Sequence, residues 1–288
     1  MPQSTFLAFA HSNLDRSANH RSDEKWLRSF LENPATRHVR LHGDRTLVTD
    51  EKLQTFDDPH PTENIFLGVD GSGIGWFASP SEISNGMVDL RSLAMAGALP
   101  AEQLGMLAQA RSLLHWHEHH GFCANCGVKT EMQDAGYRRH CAACVTDHFP
   151  RTDPVIIIAV RRARKLLLGR QTIWPEGMYS TLAGFMEPGE TIEDAARREV
   201  FEEAGICVGD ISYHSCQPWP FPSSLMIGLV GEALNDDIVV DTKELETARW
   251  FDESELHQML TGSHPIGLKT PLSMAIAHHL IRAAISVR

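Results

Sequence analysis

Residues 184–206 read Gly184-Phe-Met-Glu-Pro-Gly189-Glu190-Thr191-Ile-Glu-Asp194-Ala-Ala-Arg197-Arg198-Glu199-Val-Phe-Glu202-Glu203-Ala-Gly205-Ile206, and their reading decides the fold. Thr191 followed three residues later by Asp194 makes a capping-box-like helix start, and Gly205 supplies the stop, so the spacing predicts a helix over 192–204. At 3.6 residues per turn Glu199, Glu202 and Glu203 share an arc of about 100° on one helix face. Like charges at i, i+3 and i+4 repel and weaken a helix. That penalty is understandable if cations sit among the carboxylates, and oxygen-only ligation suits Mg²⁺ or Mn²⁺, which in turn bridge phosphate oxygens. The plainer alternative is an exposed acidic face whose charge Arg197 and Arg198 offset.

The pattern is strand-rich from Pro154 onward. Val155-Ile-Ile-Ile-Ala-Val160 is a continuous apolar run that suits a strand buried on both faces. Lys165–Arg170, Met178–Leu182, Leu225–Ala233 and Asp237–Asp241 read as further strands, and a second helix fits roughly 271–286. Just before this region, Cys123-Ala-Asn-Cys126 and Cys141-Ala-Ala-Cys144 form two C-x-x-C knuckles 14 residues apart. Each turns two thiolates toward one point, and a hairpin between them closes a tetrahedral Zn²⁺ site. Four sulfur ligands leave no open position for water, so this metal is expected to be structural. A redox dithiol is the competing reading of the pairs, and nucleic-acid binding is a competing use of a ribbon. The acidic net charge argues against that use, and the local basic patch of Arg138, Arg139 and His140 is expected to be a solvated hairpin face.

Further upstream, alternation in Asn64–Asp70 and Gly75–Ala78 suggests strands joined by Asp70-Gly71-Ser72-Gly73, inside a small mixed domain without recognisable chemistry. A helix is expected from about Ala101 to His119, with His115, His117, His119 and His120 solvated near its end rather than acting as ligands. The 288 residues accommodate two domains and a small third module, and 42% hydrophobic residues supply an ordinary core. A net charge of −11 leaves no broad basic face for a nucleic-acid backbone, so phosphates have to be met by cations or a few placed basic groups. No apolar run approaches the roughly 18–20 residues of a membrane span. The N-terminus lacks a basic n-region, and its apolar stretch Phe6–Ala10 is short for a signal peptide, so a cytoplasmic location is expected.

Beyond the acidic helix lies Cys216-Gln217-Pro218-Trp219-Pro220-Phe221-Pro222-Ser223-Ser224. Three alternating prolines predict a rigid extended stretch, with Trp219, Phe221 and the Gln217 amide available to grip a flat heteroaromatic base. A Pro-stiffened connection whose aromatics serve the core is the competing reading.

Residues 184–206 fit G-x5-E-x7-R-E-U-x-E-E-x-G-U, with U apolar, at every fixed position, and so closely resemble the box of the Nudix hydrolase superfamily. The 216–224 array resembles the S-Q-P-W-P-F-P-x-S signature of its NADH pyrophosphatase branch, with Cys216 in place of the first Ser. That branch also carries a four-cysteine ribbon and a linker like His148-Phe149-Pro150-Arg151, where Phe149 replaces the usual Tyr. The resemblance implies an α+β chain built as a Nudix α/β/α sandwich (151–288), preceded by a zinc ribbon (118–150) and a small mixed α/β N-terminal domain (1–117). It implies Glu199, Glu202 and Glu203 as catalytic metal-site carboxylates, with Glu244 and the Ala183 carbonyl as further Mg²⁺ or Mn²⁺ ligands. Glu190 and Arg198 are expected to support the loop–helix–loop. Phe185, Gln217, Trp219, Phe221, Ser224, Ala277 and Phe149 are implied as substrate-binding positions. The expected reaction is hydrolysis of the diphosphate of NADH or NAD⁺ to nicotinamide mononucleotide and AMP. Removal of an NAD cap from RNA is the alternative chemistry on the same bond, and a zinc-ribbon adaptor is the non-enzymatic one. The branch forms homodimers in which the array's Trp helps build the partner's site.

Overall fold

The computed structural model describes residues 7–60 and 63–286. The chain separates into two compact units, one of residues 8–152 with Trp219–Ser223, the other built on Asp153–Pro218 and residues 224–286.

In the first unit, α1 (Glu24–Leu31) precedes a sheet of β1 (Arg37–His42), β2 (Arg45–Thr49), β3 (Lys52–Leu53), β4 (Ile65–Val69), β5 (Gly75–Pro80) and β6 (Met87–Asp89). The order is β3-β2-β1-β5-β4, with β6 on β2, and β1 and β5 run parallel. α2 (Leu90–Ala96) and α3 (Ala101–His119) follow, and Leu104, Leu107, Ala108 and Ala110 of α3 are buried. Gln109, also buried, donates to the Leu67 carbonyl (2.8 Å) and contacts the Tyr137 hydroxyl (2.5 Å). The ribbon adds β7 (Glu131–Gln133), β8 (Arg138–Cys141) and β9 (Thr146–His148) as an antiparallel sheet. Strands 64–70 and 75–78, their turn, and the 101–119 helix thus stand where the sequence puts them.

The second unit has a sheet ordered β13-β14-β10-β11-β15, with β12 also on β10. Its strands are β10 (Asp153–Arg162), β11 (Lys165–Arg170), β12 (Leu182–Phe185), β13 (Val208–Trp219), β14 (Ser224–Ala233) and β15 (Thr247–Asp252), with α4 (Ile192–Ala204), α5 (Glu253–Thr261) and α6 (Ile276–Ser286). β10 and β14 are parallel over nine residue pairs, with Ile157 beside Gly228. Side chains alternate across a strand. Ile156, Ile158 and Val160 pack with Ala195, Ala196, Val200 and Ala204 of α4. On the opposite face, a Cβ on Gly228 would strike Ile276 of α6 at 2.7 Å. Helices therefore cover both faces of the sheet, which explains why residues 155–160 are uniformly apolar and buried.

Three expectations are corrected here. Residues 178–181 are not a strand. Ser180 exchanges two 2.9 Å backbone hydrogen bonds with Gly169, Tyr179 N–H bonds the Lys269 carbonyl, and only from Leu182 does the chain join β10. Residues 237–241 are not a strand either. The N–H groups of Val239 and Asp241 bond the Ala204 and Glu203 carbonyls at 2.9 and 3.0 Å, satisfying the C-terminal end of α4 instead of a sheet edge. The final helix starts at Ile276, not near 271.

Candidate active site and metal centres

The helix α4 is held at both ends as its sequence requires. The Thr191 hydroxyl accepts from Asp194 N–H at 3.1 Å, and Gly205 takes the left-handed conformation (φ 68°), with its N–H bonded to the Phe201 carbonyl at 2.8 Å. Packing of Ala195, Ala196, Val200 and Ala204 on the sheet leaves Glu199 and Glu203 at the flank of the buried face. The small residue there is Gly184, where a Cβ would lie 1.9 Å from the Glu199 carboxyl carbon. Glycine at 184 is therefore what gives that carboxylate its space.

Arg198 organises the loop. It pairs with both oxygens of Glu190 (2.5 and 2.9 Å), with Glu199 and Glu202 (2.9 Å each), and donates to the Phe185 carbonyl at 3.0 Å. Glu190 also accepts from Glu187 N–H, and these bonds, Arg198's first, hold its carboxyl at about 2. Opposite them, the 241–246 loop is tied to α4 by Asp241 N–H on the Glu203 carbonyl, and its Glu244 N–H bonds back to Asp241. That places Glu244 near the helix. One carboxylate oxygen each from Glu199, Glu203 and Glu244 lies within 4.8 Å of the others. Glu202 is exposed and turned onto Arg198, outside this group.

Glu203 is 3% exposed, and its Oε2 has no hydrogen-bond partner. Burial, reinforced by the charges of Glu199, Glu244 and Glu202, pushes its carboxyl up to about 8, and burial also raises Glu199. A buried, unpartnered carboxylate beside two others is unfavourable unless a cation joins them. Three converging oxygen donors with one orphaned oxygen fit a hard divalent ion.

The four cysteines form the second centre. One sulfur from each lies within 4.8 Å of the rest, with Cys123–Cys144 and Cys126–Cys141 at 3.5 Å. A tetrahedron with zinc–sulfur bonds of about 2.3 Å has edges near 3.8 Å, so the cluster fits. The His148 ring nitrogen lies 3.2 Å from Cys123 Sγ and the Thr146 hydroxyl 3.2 Å from Cys144 Sγ, an outer layer of the kind that orients metal ligands.

The basic patch beside the ribbon is not a solvated face. Arg138 pairs with Asp134 and Asp147, His140 with Asp147, and Arg139 bonds Thr130 and His117. His117, expected in solvent, is buried between the Gly136 carbonyl and Arg139, and burial lowers its pKa to about 4.

The 216–224 array divides at Trp219. Up to that residue it is the end of β13; residues 220–223 turn, so it is not extended throughout. Gln217 is fully buried, donating to the Met274 carbonyl and accepting from Ile276 N–H, both at 2.8 Å. Its amide is engaged with backbone and satisfies a donor at the start of α6, beside buried Ala277, rather than being presented to a base. Trp219 and Phe221 stand 5.3 Å apart edge to face, each against Phe9, with the Arg91 guanidinium 5.4 and 4.9 Å from their rings. Phe9 and Arg91 escaped sequence reasoning because no periodicity links them to residues more than a hundred positions away. Phe185 and Phe149 are exposed, Ser224 is buried at the start of β14, and Ala183 lies in β12 opposite Ile157.

A family model described as the NUDIX domain matches residues 150–269, one described as the NADH pyrophosphatase zinc ribbon domain matches 118–149, and one described as an NADH pyrophosphatase-like rudimentary NUDIX domain matches 35–116. The chain belongs to the Nudix family, with a zinc ribbon of the NADH pyrophosphatase type. It is 46% identical over 199 residues to NAD-capped RNA hydrolase NUDT12 of Homo sapiens, covering 66% of this chain and 43% of that one. It is 40% identical over 187 residues to NAD-capped RNA hydrolase NudC of Chromobacterium violaceum (65% and 66% covered), and 37% identical over 215 residues to the mitochondrial NAD(P)H pyrophosphatase NUDT13 of Homo sapiens (70% and 60%). The chain thus spans less than half the length of the first of these relatives. No helix among the described residues is long and apolar enough to cross a membrane.

Proposed function

We propose that the chain hydrolyses the diphosphate bond of NADH, and of NAD⁺, releasing the nicotinamide mononucleotide and AMP. The observation that carries this is the convergence of Glu199, Glu203 and Glu244 around an orphaned buried oxygen. Those three, with the Ala183 carbonyl and Glu202, are the residues that would hold Mg²⁺ or Mn²⁺. Such an ion, when bound, draws charge from phosphoryl oxygens and acidifies water. Glu203, with one carboxyl oxygen unpartnered beside that ion, is suited to orient the water. Arg198 keeps α4 and the 185–190 loop in register by bonding both oxygens of Glu190 and one oxygen each of Glu199 and Glu202.

Metal and carboxylates recognise the diphosphate, so selectivity has to come from contacts to the bases. Phe185, Trp219, Phe221 and Phe149, with Gln217, Ser224 and Ala277, are the residues we assign to substrate binding. We assign the chain a homodimer in which Trp219 serves the partner's site. The four cysteines hold a structural Zn²⁺ and require the thiols to stay reduced, which suits the cytoplasm. The division into residues 1–117, 118–150 and 151–288 is part of the same reading.

Removal of the NAD cap from RNA 5′ ends is the second reading, favoured by the two relatives named for it. The neutralised ribbon patch argues that any grip on RNA is confined to its first nucleotides. Kinetics on NADH, NAD⁺ and an NAD-capped oligoribonucleotide with Mn²⁺ test both. AMP and reduced nicotinamide mononucleotide from NADH are expected; cleavage of the capped RNA with a kcat/KM far above that of NADH would move the assignment to decapping, and no cleavage of any would remove it.

A further inference from the structure

The last turn of α3 carries a third group of metal-competent side chains. His115 and His119 are one turn apart, with ring centroids 4.0 Å apart, and Glu118 lies beside them. One donor atom from each of the three comes within 4.8 Å of the others. We propose that His115, Glu118 and His119 form an exchangeable site for a borderline transition-metal ion, Zn²⁺ or Ni²⁺, separate from the ribbon and from the carboxylate site.

Three observations support it. His119 Nδ1 lies 2.9 Å from the His115 carbonyl, and only a protonated Nδ1 can donate there, so Nε2 keeps a lone pair. A backbone acceptor on the second ring nitrogen is how ligating histidines are commonly held. The group sits at the C-terminal end of a 19-residue helix, where the macrodipole favours a cation. The neighbouring histidines are engaged elsewhere, since His117 is buried on Gly136 and Arg139, while His120 bonds the Trp116 carbonyl and stacks on that indole. Arg111, one turn before His115, opposes a bound cation and moderates the affinity.

Two imidazoles and a carboxylate are nitrogen–oxygen donors that prefer Zn²⁺, Ni²⁺ or Cu²⁺ to Mg²⁺. Three ligands leave coordination positions for water, so this ion exchanges, unlike one enclosed by four sulfurs. Glu118 and His119 are exposed and half-buried His115 is accessible, so small rotations bring the donors to bonding distance. Bound there, the metal clamps the final turn of α3, from which the chain passes through Gly121 into the first cysteine knuckle.

The test uses the full chain with its ribbon zinc in place and saturating Mg²⁺ to occupy the carboxylates. Ni²⁺ is titrated by calorimetry, and bound nickel and zinc are counted after equilibrium dialysis. One nickel per chain is expected with zinc content unchanged, together with a rise in melting temperature. His115→Ala and His119→Ala should each weaken nickel binding at least about tenfold, the least expected for a direct ligand, and abolish the melting shift, while Glu203→Gln leaves both intact. No additional nickel, nickel that replaces zinc one for one, or binding unaffected by the His115→Ala/His119→Ala pair would overturn the assignment.

Discussion

Strands β1 and β5 run parallel inside a six-stranded mixed sheet, and so do β10 and β14 in the other unit. In each unit a helix buries a small-residue and aliphatic face against that sheet, α3 in the first and α4 in the second. Their remaining faces differ. α3 buries Gln109, bonded to a carbonyl and a tyrosine, and its only acids, Glu102 and Glu118, lie at its two ends. α4 sets Glu199 and Glu203 at its buried flank, with Gly184 leaving room and Glu244 brought up from the following loop. The buried polar group of α3 is a neutral amide bonded through its nitrogen, whereas that of α4 is an acid with one carboxyl oxygen left bare. The architecture therefore supplies position, and the unsatisfied carboxylates supply the chemistry.

The comparison is tested first where the expected effect is largest. The first unit is expected to draw stability from a metal held by its four cysteines. Structural zinc sites in small modules carry apparent binding free energies of about 10–16 kcal/mol. Cys141→Ser should therefore lose zinc by metal analysis and melt far below the parent protein. Zinc-free parent protein with all four thiols titratable would refute the centre.

Next comes His117. Its pKa falls from 6.5 in the unfolded chain to about 4 in the fold, so the native state binds fewer protons between those values. Its contribution is complete above pH 6.5 and is lost as pH drops through 4, amounting to roughly 3 kcal/mol. Denaturant melts across this window should show the acid loss, and His117→Gln, which cannot titrate, should flatten it. An unchanged acid arm in that variant would place the titration elsewhere.

Gly184→Ala probes the opposite region. The nearest atoms to the added methyl are the carboxyl end of Glu199, so folding should survive while that carboxylate is displaced. Misplacement of about 1 Å at a reacting centre can lower rates about a hundredfold. Activity near the parent level would mean that Glu199 is not held where we place it.

The smallest expected effect concerns selectivity. Loss of an aromatic stacking partner is worth about 1–3 kcal/mol. Trp219→Ala should lower kcat/KM for NADH by about five- to 150-fold and affect ADP-ribose less, because that substrate lacks the nicotinamide. Equal losses on both substrates, with the oligomeric state by sizing the same as the parent's, would make the array structural.

Local signals explain what was legible from residues alone. The caps of α4, the cysteine spacing and the six-residue apolar run of β10 are contained in short windows, and the structure has each of them. Other features depend on partners far along the chain. β13 exposes much of its length at a sheet edge, and Ser212-Tyr213-His214-Ser215 carries no alternation to reveal it. Val239 and Asp241 look like strand residues until α4 presents open carbonyls to them. Gln217 reads as a ligand-facing amide until the start of α6 claims both its ends. α1, α2 and α5 were avoidable misses, since Asp23, Asp89 and Asp252 each cap an N–H three residues on, the same signal that revealed α4.

The most direct test is kcat of Glu203→Gln on NADH at saturating Mn²⁺, measured beside its melting temperature in the absence of metal. The substitution removes a buried acid whose pKa lies near 8 and which has no protein partner for one oxygen. Turnover should fall at least about a hundredfold. The metal-free protein should meanwhile melt at or above the parent's temperature at pH 8, because an uncompensated charge has gone. Turnover close to the parent's, in a protein that folds normally, would contradict the claim that these carboxylates carry the reaction.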